Sequence, residues 1–375
     1  MAKEIIHSPD RLRILMIPMD NKGCGFYRMM VPANEIKRQD LADIQVNFGW
    51  NWQMVEWSHI IIIQRHSDPA AFEAIDQAHS LGKKIVYEID DFLQAISPLN
   101  PAFNFWSPMG PHLGRALRLM QKCDAMQVST PRLRNEYGLW NPVIEVMPNY
   151  LDKTIWDTPA WTAIHWDNYY KKKNDGIIRI IWSGAGSHYN DLQLIEEVIT
   201  KICQKYPNVH FCLMGYFGES NQGKNLFQDI PSNTSICPHC KEAGQLEKIP
   251  GIDLLYYPSK LKECAADIAV APLIETGFNQ GKSDLKIKEY SALSIPVIAS
   301  RMTPYKESVQ EGYTGFLAST GKEWFDALEL LIKNEELRKR LGKNNHQWYE
   351  QNTIDKHIRE WLQFYYRVVS FKNKW

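Results

Sequence analysis

The chain has 375 residues, which is too long for one ordinary hydrophobic core and suggests two domains. It carries 43 basic and 43 acidic residues, so the formal net charge is zero, and this balance excludes the uniformly basic character of a dedicated nucleic-acid binder. A polar start, the lack of any long apolar run and seven scattered cysteines predict a cytoplasmic protein without a signal peptide or transmembrane segment.

The first half of the chain alternates predicted strands with predicted helices. Short apolar or β-branched segments predict strands at 13–18, 44–48, 59–64, 84–89, 124–129 and 143–147. Apolar strands separated by helices indicate a parallel sheet that is covered on both faces. Residues 1–150 are therefore predicted to form one doubly wound, Rossmann-like α/β domain.

The second half repeats this alternation after an irregular, aromatic-rich linker at 151–176. An amphipathic helix is predicted at 191–206, and strands are predicted at 177–182, 209–214, 252–256, 267–271 and 296–299. Residues 177–353 are therefore predicted to form a second Rossmann-like α/β domain. The last segment, 354–375, is predicted as a helix that is long enough to cross back to the first domain.

The segment 278–297 predicts a loop, then a helix, then a buried strand, with Ser283 as the N-cap of the helix. Lys282, Lys286 and Glu289 are spaced three and four residues apart, so they are predicted to share one helix face. Two lysines at this spacing repel each other unless an anion lies between them, and a helix N-terminus also favours an anion. This pattern suits a nucleoside diphosphate, with Glu289 accepting hydrogen bonds from hydroxyls. The alternative is a solvated helix face with a Lys286–Glu289 pair.

Other motifs exclude several classes of site. Cys237 and Cys240 have the spacing of metal ligands. A structural zinc needs four ligands, however, and no second pair lies nearby in the sequence. The alternatives are two free thiols or a disulfide. The glycine turns at 23–25 and 184–186 lack the third glycine of a dinucleotide-binding turn, and the chain has no P-loop. The sequence predicts no metal site and no cofactor of its own.

Five segments, in this order, resemble the GT-B glycosyltransferases, and within them the retaining, family-4-like enzymes. They are 147–152 (MPNYLD), 182–184 (WSG), 267–272 (DIAVAP), 288–297 (KEYSALSIPV) and 311–317 (EGYTGFL). The resemblance implies two Rossmann-like doubly wound domains that face a cleft, and transfer from a nucleotide-diphosphate sugar without a metal. It also places Glu289 on the second signature glutamate of the family.

The chain departs from the family pattern at two places. Gly281 stands where the family has its first signature glutamate, which normally lies near the donor sugar. Residues 185–189 (AGSHY) replace the Arg and Lys that follow the turn in the second domain. His188, together with Lys282 and Lys286, is therefore expected to supply the positive charge for the phosphates.

Charge develops on the phosphate oxygens when a nucleoside diphosphate leaves, and fixed cations, loop amides and a helix N-terminus stabilise that charge. In the first domain, Gly23 and Gly25 let the backbone approach a pyrophosphate, and Arg28 lies on the first turn of the next helix. A tight turn and a surface ion pair are the alternatives. The predicted nucleotide-sugar-binding residues are Gly25, Arg28, Ser183, Gly184, His188, Lys282, Ser283, Lys286 and Glu289.

The acceptor side is predicted at the ends of first-domain strands, because ligands bind beyond the carboxyl ends of strands in open α/β sheets. Asp90 and Asp91 follow one strand, and His66 follows another. Helix or turn capping is the alternative for all three. The predicted catalytic residues are Asp91, Lys282 and Glu289.

The sequence thus predicts a metal-independent glycosyltransferase that uses a UDP- or GDP-linked sugar and retains anomeric configuration. Its acceptor is expected to be a glycan or a small molecule. A hydroxymethylated DNA base is one alternative acceptor, with Lys171–Lys173 and Arg115–Arg118 as a basic stripe. The alternative from another class is a non-catalytic nucleotide-sugar-binding module, which the missing glutamate at position 281 would favour.

Overall fold

A computed structural model describes residues 10–98, 100–157, 163–185, 188–215, 226–230 and 245–371. The chain forms two compact units, and each is built from several stretches of sequence. The first unit contains Met1–Asp152, Thr276–Ser283 and Asn352–Trp375, and the second contains Lys153–Glu275 and Asp284–Gln351. The chain therefore passes between the units four times.

The first unit has a parallel sheet of six strands in the order β2-β1-β3-β4-β5-β6. The strands are β1 (Arg13–Ile17), β2 (Asp43–Val46), β3 (Ile60–Gln64), β4 (Lys84–Ile89), β5 (Ala125–Val128) and β6 (Ile144–Val146). Every residue of β3 and of β4 is buried, as expected for strands that are covered on both faces.

The second unit has a parallel sheet of six strands in the order β12-β11-β10-β7-β8-β9. The strands are β7 (Ile178–Ser183), β8 (Val209–Met214), β9 (Leu246–Ile249), β10 (Ile268–Ala271), β11 (Val297–Ser300) and β12 (Gly315–Ala318). The prediction of two doubly wound α/β domains is therefore confirmed.

Helices connect the strands of both sheets, because parallel neighbours can be joined only by crossover connections, which place helices on the sheet faces. They are α1 (Gly23–Gly25), α2 (Val31–Arg38), α3 (Trp52–Trp57), α4 (Ala70–Ser80), α5 (Phe103–Trp106), α6 (Pro111–Lys122), α7 (Pro131–Tyr137), α8 (Lys153–Trp156), α9 (Ala163–Lys173), α10 (Tyr189–Lys205), α11 (Tyr257–Glu263), α12 (Gly277–Gln280), α13 (Leu285–Ala292), α14 (Tyr305–Ser308), α15 (Gly321–Lys333), α16 (Glu335–Tyr349) and α17 (Ile354–Val369). A π-helical turn, Phe26–Met30, joins α1 to α2, and a 3-10 turn covers Leu93–Ala95.

Some predicted elements differ from those observed. The strand predicted at 252–256 is wrong, because the third strand of the second unit is β9, which ends before Pro250 and Gly251. Leu255 and Tyr256 in the mispredicted stretch are more than half exposed. The sequence at 151–176, predicted to be irregular, contains α8 and α9.

The C-terminal helix α17 packs on the first unit. Tyr365 donates a hydrogen bond to Gln127 Oε1 on β5 at 2.8 Å, and Gln39, just after α2, donates to the carbonyl of Asp355 at 3.0 Å. The apolar face of α17 is buried, including Trp361 and Tyr365. Among the described residues, no helix combines the length and the apolar character that a membrane span requires.

Each sheet has one point at which the strand order reverses. In the first unit it lies between β1 and β3, and in the second between β7 and β10. Crossover connections leave these points in opposite directions, so a crevice opens there at the carboxyl ends of the strands. The residues that follow β1, β3, β7 and β10 are thus the first places to look for ligand-binding groups.

Candidate functional site

In the second unit, the turn after β7 brings a lysine against the backbone. Lys286, on α13, donates a hydrogen bond to the carbonyl of Ser183, and its Nζ lies 4.8 Å from the centroid of the Trp182 ring. A Cβ on Gly184 would come within 2.7 Å of the Trp182 ring and 3.0 Å of Lys286 Nζ. Only glycine therefore fits at position 184, and the predicted residues Ser183, Gly184 and Lys286 do lie together.

A chain of hydroxyl groups links the same turn to Glu289. Tyr257 donates to Glu289 Oε2 at 3.0 Å, and its oxygen lies 2.8 Å from Ser183 Oγ. Tyr290 accepts from the backbone N–H of Ser183 at 3.0 Å. Burial raises the pKa of Tyr290, so its hydroxyl stays neutral at physiological pH. Glu289 is buried, and its carboxylate is held in a fixed position by Tyr257.

Sequence reasoning missed Tyr257 and Tyr290. Tyr290 is adjacent to Glu289 in the sequence, and this was the one available signal for it. Tyr257 begins α11, 32 residues before Glu289 and directly after the stretch 252–256 that is predicted as a strand. Only the hydrogen bond from Tyr257 on α11 to Glu289 on α13 reveals its role.

His188 lies at the switch point of the second sheet as the N-cap of α10. Its Nδ1 is 2.8 Å from Asp191 Oδ2, and its ring stands edge-on to Trp182 with 6.0 Å between the centroids. Trp182 thus lies beside both His188 and Lys286. The two predicted phosphate-binding side chains of this unit are therefore grouped around one indole at the carboxyl end of β7.

Lys282 does not lie on the same helix face as Lys286 and Glu289, and that prediction is wrong. Helix α13 begins at Leu285, with Asp284 rather than Ser283 as its N-cap. Asp284 bonds to Lys288 Nζ and Ser308 Oγ, at 2.7 and 2.6 Å, and these bonds fix the start of α13. Lys282 and Ser283 precede the helix and belong to the first unit.

The segment Thr276–Ser283 is held in the first unit by side-chain contacts. Ser283 Oγ accepts a hydrogen bond from Asn149 at 2.8 Å, and Thr130 Oγ1 donates to the carbonyl of Gly281 at 3.2 Å. A Cβ at position 281 would approach Leu133 and Phe92 to 3.0 Å. This close packing explains physically why glycine stands where the family has its first glutamate.

Two cations hold Asp91 in the first unit. Lys282 Nζ lies 2.8 Å from Asp91 Oδ1, and Arg65 NH1 lies 3.1 Å from Oδ2. Arg65 also pairs with Asp20 at 3.4 Å, across the switch point between β1 and β3. Burial lowers the pKa of Lys282, but the nearby Asp91 outweighs it, so the pKa is raised and the lysine is charged. Arg65 was not predicted from the sequence.

His66 and Asp90 each have a buried polar atom without a hydrogen-bond partner among the described residues. These atoms are Nε2 of His66 and Oδ1 of Asp90. His66 follows β3 and Asp90 follows β4, the neighbouring strand. Burial lowers the pKa of His66, so its imidazole is neutral at pH 7. The predicted acceptor-side residues thus lie at the carboxyl ends of adjacent strands, as expected.

One cluster in the described part of the chain has the composition of a metal site. The ligand atoms of Cys24, Asp90 and Asp91 all lie within 4.8 Å of one another. Both oxygens of Asp91 are, however, already paired with Lys282 and Arg65, so a metal ion would have to displace two cations. Cys237 and Cys240 lie outside the described residues.

Arg28 is buried in the core, which does not agree with the predicted contact to a pyrophosphate. Its side chain has no exposed surface, and its Nε lies 2.6 Å from Glu88 Oε1, while NH1 donates to the carbonyl of Met147 and to Asn149 Oδ1. Gly25 also has a local reason to be glycine, since a Cβ there would lie 1.8 Å from the carbonyl oxygen of Asp20. Its N–H donates to Asp20 Oδ1 at 3.2 Å.

One family profile and several solved structures are similar to this chain. Residues 170–348 match the profile of the family described as glycosyl transferases group 1. No curated protein matches the chain. The solved structure of HepE from Anabaena, in complex with UDP and glucose, has a TM-score of 0.65 at 15% identity, covering 94% of this chain and 98% of HepE.

Two further solved structures are similar over their whole length. A glycosyltransferase from Rickettsia africae has a TM-score of 0.62 at 13% identity, covering 97% of this chain and 100% of its own. Sucrose-phosphate synthase from Thermosynechococcus elongatus has a TM-score of 0.64 at 12% identity, covering 96% and 99%. At these identities the likeness shows the fold, which is the two-domain fold that the sequence predicted.

Proposed function

We propose, on the premise that this chain is a glycosyltransferase of the GT-B fold, that it moves a sugar from a UDP- or GDP-linked donor to an acceptor hydroxyl with retention. The observation that carries the proposal is the grouping of Lys286, His188 and Glu289 around the turn after β7. HepE, which shares the fold, was solved with UDP-glucose, and this supports a nucleotide sugar as the donor.

The donor half of the proposal assigns a role to each side chain in the second unit. Lys286 and His188 bind the diphosphate, and the N-terminus of α10 adds the partial positive charge of a 17-residue helix. Glu289, held by Tyr257, accepts hydrogen bonds from the ribose hydroxyls. Charge that develops on the departing diphosphate is then stabilised by fixed groups and not by a metal ion.

The acceptor half of the proposal lies in the first unit. The acceptor forms hydrogen bonds with Asp90, Asp91 and His66. Lys282 and Arg65 keep Asp91 in place. In a retaining transfer of this kind, the bond from the anomeric carbon to the diphosphate breaks, and the acceptor oxygen bonds to the same face. The acceptor proton leaves with the departing phosphate oxygen, so no protein nucleophile is required.

A glycan or a small molecule is the acceptor that the charge distribution favours. In the Lys171–Lys173 run, Lys172 pairs with Glu247 and Lys173 with Asp267. Arg118, in the other predicted basic segment, lies over the Phe72 ring at 5.7 Å. Since duplex binding draws much of its affinity from cations that neutralise phosphates, these internal pairs weigh against the alternative of a hydroxymethylated DNA base.

The proposed location is the cytoplasm. Five cysteines lie in the described part of the chain, namely Cys24, Cys123, Cys203, Cys212 and Cys264, and all five are free thiols. Free thiols are typical of a reducing compartment and support this proposal.

The proposal is tested by a thermal-shift screen with UDP, GDP, ADP and their sugar conjugates, followed by transfer assays with the conjugate that binds. A ligand at 100 times its Kd is expected to stabilise the protein by about 2.7 kcal/mol. Product formation on simple glycan or small-molecule acceptors, with the anomer assigned by NMR, is the expected result. A protein that binds no nucleotide sugar in the panel would contradict the proposal.

A further inference from the structure

The connection between β4 and α6 in the first unit is long. It spans residues 90–110 and includes α5, whereas the connections after the neighbouring strands β3 and β5 span only 65–69 and 129–130. Strand-to-helix connections in α/β domains usually have about 2–6 residues, and longer ones often carry function. This one begins with Asp90 and Asp91, so it leaves the sheet at the carboxyl end of β4.

The connection carries no charged side chain after Asp91. From Phe92 to Gly114 the sequence contains no Asp, Glu, Lys or Arg, although these residues make up 23% of the chain. The polar side chains of this stretch are amides, hydroxyls and one imidazole, namely Gln94, Ser97, Asn100, Asn104, Ser107 and His112. Such a stretch offers no carboxylate to an amine and no lysine or arginine to a phosphate. It therefore suits an uncharged ligand that forms hydrogen bonds.

Phe105 presents an aromatic ring to solvent in the middle of this stretch. Its neighbours Phe103 and Trp106 pack against the core of the first unit and hold α5 in place. Phe105 itself is 41% exposed, and Met109 is 96% exposed. The ring of Trp106 meets the Phe105 ring edge-on, with 4.9 Å between the centroids. Neighbouring exposed apolar side chains held on a fixed element are typical of a binding surface.

His112 supports the ring of Phe105 from behind. The two rings are stacked, with their centroids 3.8 Å apart and their planes inclined by 20°. The imidazole thus covers one face of the Phe105 ring and leaves the other face for a ligand. His112 Nδ1 lies 3.0 Å from Oγ of the buried Ser67, which fixes the imidazole. Ser67 directly follows His66 at the carboxyl end of β3, so Phe105 lies on the acceptor side of the unit.

We propose that Phe105, supported by His112, is a platform on which a sugar ring of the acceptor stacks, and that the acceptor is an uncharged glycan of at least two residues. This inference rests on the proposed function. The C–H groups on one face of a sugar ring form an apolar surface that covers an aromatic ring, while the hydroxyls at its edge bond to amides and hydroxyls of the protein.

The position of Phe105 determines which ring of the glycan it binds. The groups proposed to bind the reacting hydroxyl, such as His66, directly follow the strands. Ser67 and His112 lie between His66 and Phe105 in the series of contacts. The ring that stacks on Phe105 is therefore the next one along the glycan, not the ring that receives the sugar.

The charge-free composition weighs against two other partners for exposed aromatic rings. Segments that bind anionic membrane surfaces combine apolar side chains with Lys and Arg, which the stretch from Phe92 to Gly114 lacks. Single-stranded nucleic acids also stack on aromatic rings, but they do so in grooves of positive charge. An uncharged glycan needs neither feature.

The test measures KM and kcat for acceptors of increasing length, with the nucleotide sugar that the transfer assays identify as the donor. The acceptors are the mono-, di- and trisaccharides of glucose, galactose, mannose and N-acetylglucosamine. Covering one face of an aromatic ring strengthens binding by about threefold to tenfold. The wild-type KM is therefore expected to fall by this factor from the monosaccharide to the disaccharide, and to change little from the disaccharide to the trisaccharide.

Three variants of Phe105 separate stacking from a structural role. Phe105→Ala is expected to raise the KM of the disaccharide to that of the monosaccharide, while the KM of the donor stays at its wild-type value. Phe105→Tyr keeps a flat ring and is expected to keep the dependence on acceptor length. Phe105→Leu keeps an apolar side chain without a flat ring and is expected to lose most of that dependence. Thermal unfolding establishes that the variants are folded.

Leu81→Ala is the matched control. Leu81 is 43% exposed, which is close to the exposure of Phe105, and it lies in the same unit. It follows α4 and precedes β4, so it lies at the amino end of the sheet, opposite to His66 and Asp90. This variant loses a similarly exposed apolar side chain and is expected to keep the wild-type dependence on acceptor length.

The outcomes separate the inference from the proposed function. A KM that does not fall with acceptor length, or that falls equally in Phe105→Ala, would overturn the inference and leave a nucleotide-sugar site in place. Three other results would do the same: a uronic-acid disaccharide that is used more efficiently than its uncharged counterpart, binding to phosphatidylcholine vesicles that Phe105→Ala abolishes, or transfer to no glycan of the panel by a protein that binds a nucleotide sugar. A protein that binds no nucleotide sugar would contradict the proposed function and the inference together.

Discussion

Replacing Arg28 with methionine is expected to destabilise the first unit rather than to weaken donor binding. The Arg28–Glu88 pair has no exposed surface on either side chain, and Arg28 also lies 5.2 Å from the centroid of the Trp361 ring on α17. Removing one member of a buried ion pair leaves a buried, uncompensated charge, which costs about 3–5 kcal/mol. For a unit of this size the loss corresponds to a fall of roughly 6–20 °C in Tm.

The cost of Arg28→Met is also expected to depend on pH. Burial raises the pKa of Glu88 to about 7, and Arg28 opposes this rise. The folded state therefore holds the Glu88 proton more tightly than the unfolded chain does, and stability falls as the pH rises toward the folded pKa. Without Arg28 that pKa rises further, so the variant is expected to lose about 1.4 kcal/mol for each pH unit above 7 until the new pKa is reached.

Urea denaturation followed by tryptophan fluorescence, at pH 6 and at pH 8, measures both effects. Arg28→Met is expected to be closer to wild type at pH 6 than at pH 8, and Arg28→Met with Glu88→Gln is expected to recover part of the loss. Arg11→Met is the control, because its pairs with Asp40 and Asp43 are solvent-exposed, and exposed ion pairs contribute little to stability. An Arg28→Met variant with wild-type stability at pH 8 and a much weaker Kd for the donor would refute this reasoning and return Arg28 to the phosphate site.

Three further predictions concern the reaction. Lys286→Ala and Glu289→Ala are expected to leave the fold intact and to reduce kcat/KM for the nucleotide sugar, Lys286→Ala by about tenfold to a hundredfold. Lys282→Ala is expected to reduce transfer as well, because Asp91 then loses one of its two cations. Unchanged kinetics in all three variants would remove these residues from the site. Transfer is expected to continue in the presence of EDTA, whereas a strict need for manganese or magnesium would instead make Asp90 and Asp91 metal ligands. Hydroxymethylated DNA is expected to be a poorer acceptor than a simple glycan; if it is the acceptor, DNA binding should fall by about 0.9 log unit per phosphate contact for each log unit of salt.

The sequence by itself determined the two doubly wound domains and the residues of the turn after β7. Hydrophobic periodicity is a local property, and strands such as β3 and β7 consist mostly of apolar residues, as is typical of a parallel sheet that is covered on both faces. Ser183, Gly184, Lys286 and Glu289 lie close to the ends of elements that can also be recognised from the sequence. The sequence predicts them as site residues because ligands bind at the carboxyl ends of strands in such sheets.

Only the tertiary structure decided which charged side chains form ion pairs with other residues of the protein. Spacing placed Lys282 beside Lys286, yet contacts to Asp91 and Phe278 keep Lys282 in the first unit. The sequence predicted Arg28 as a phosphate ligand because it follows a glycine turn. In the structure, Arg28 is instead paired in the core with Glu88, which is sixty residues away. Charge pairing is set by distance in space and by burial, and neither can be obtained from the order of residues along the chain.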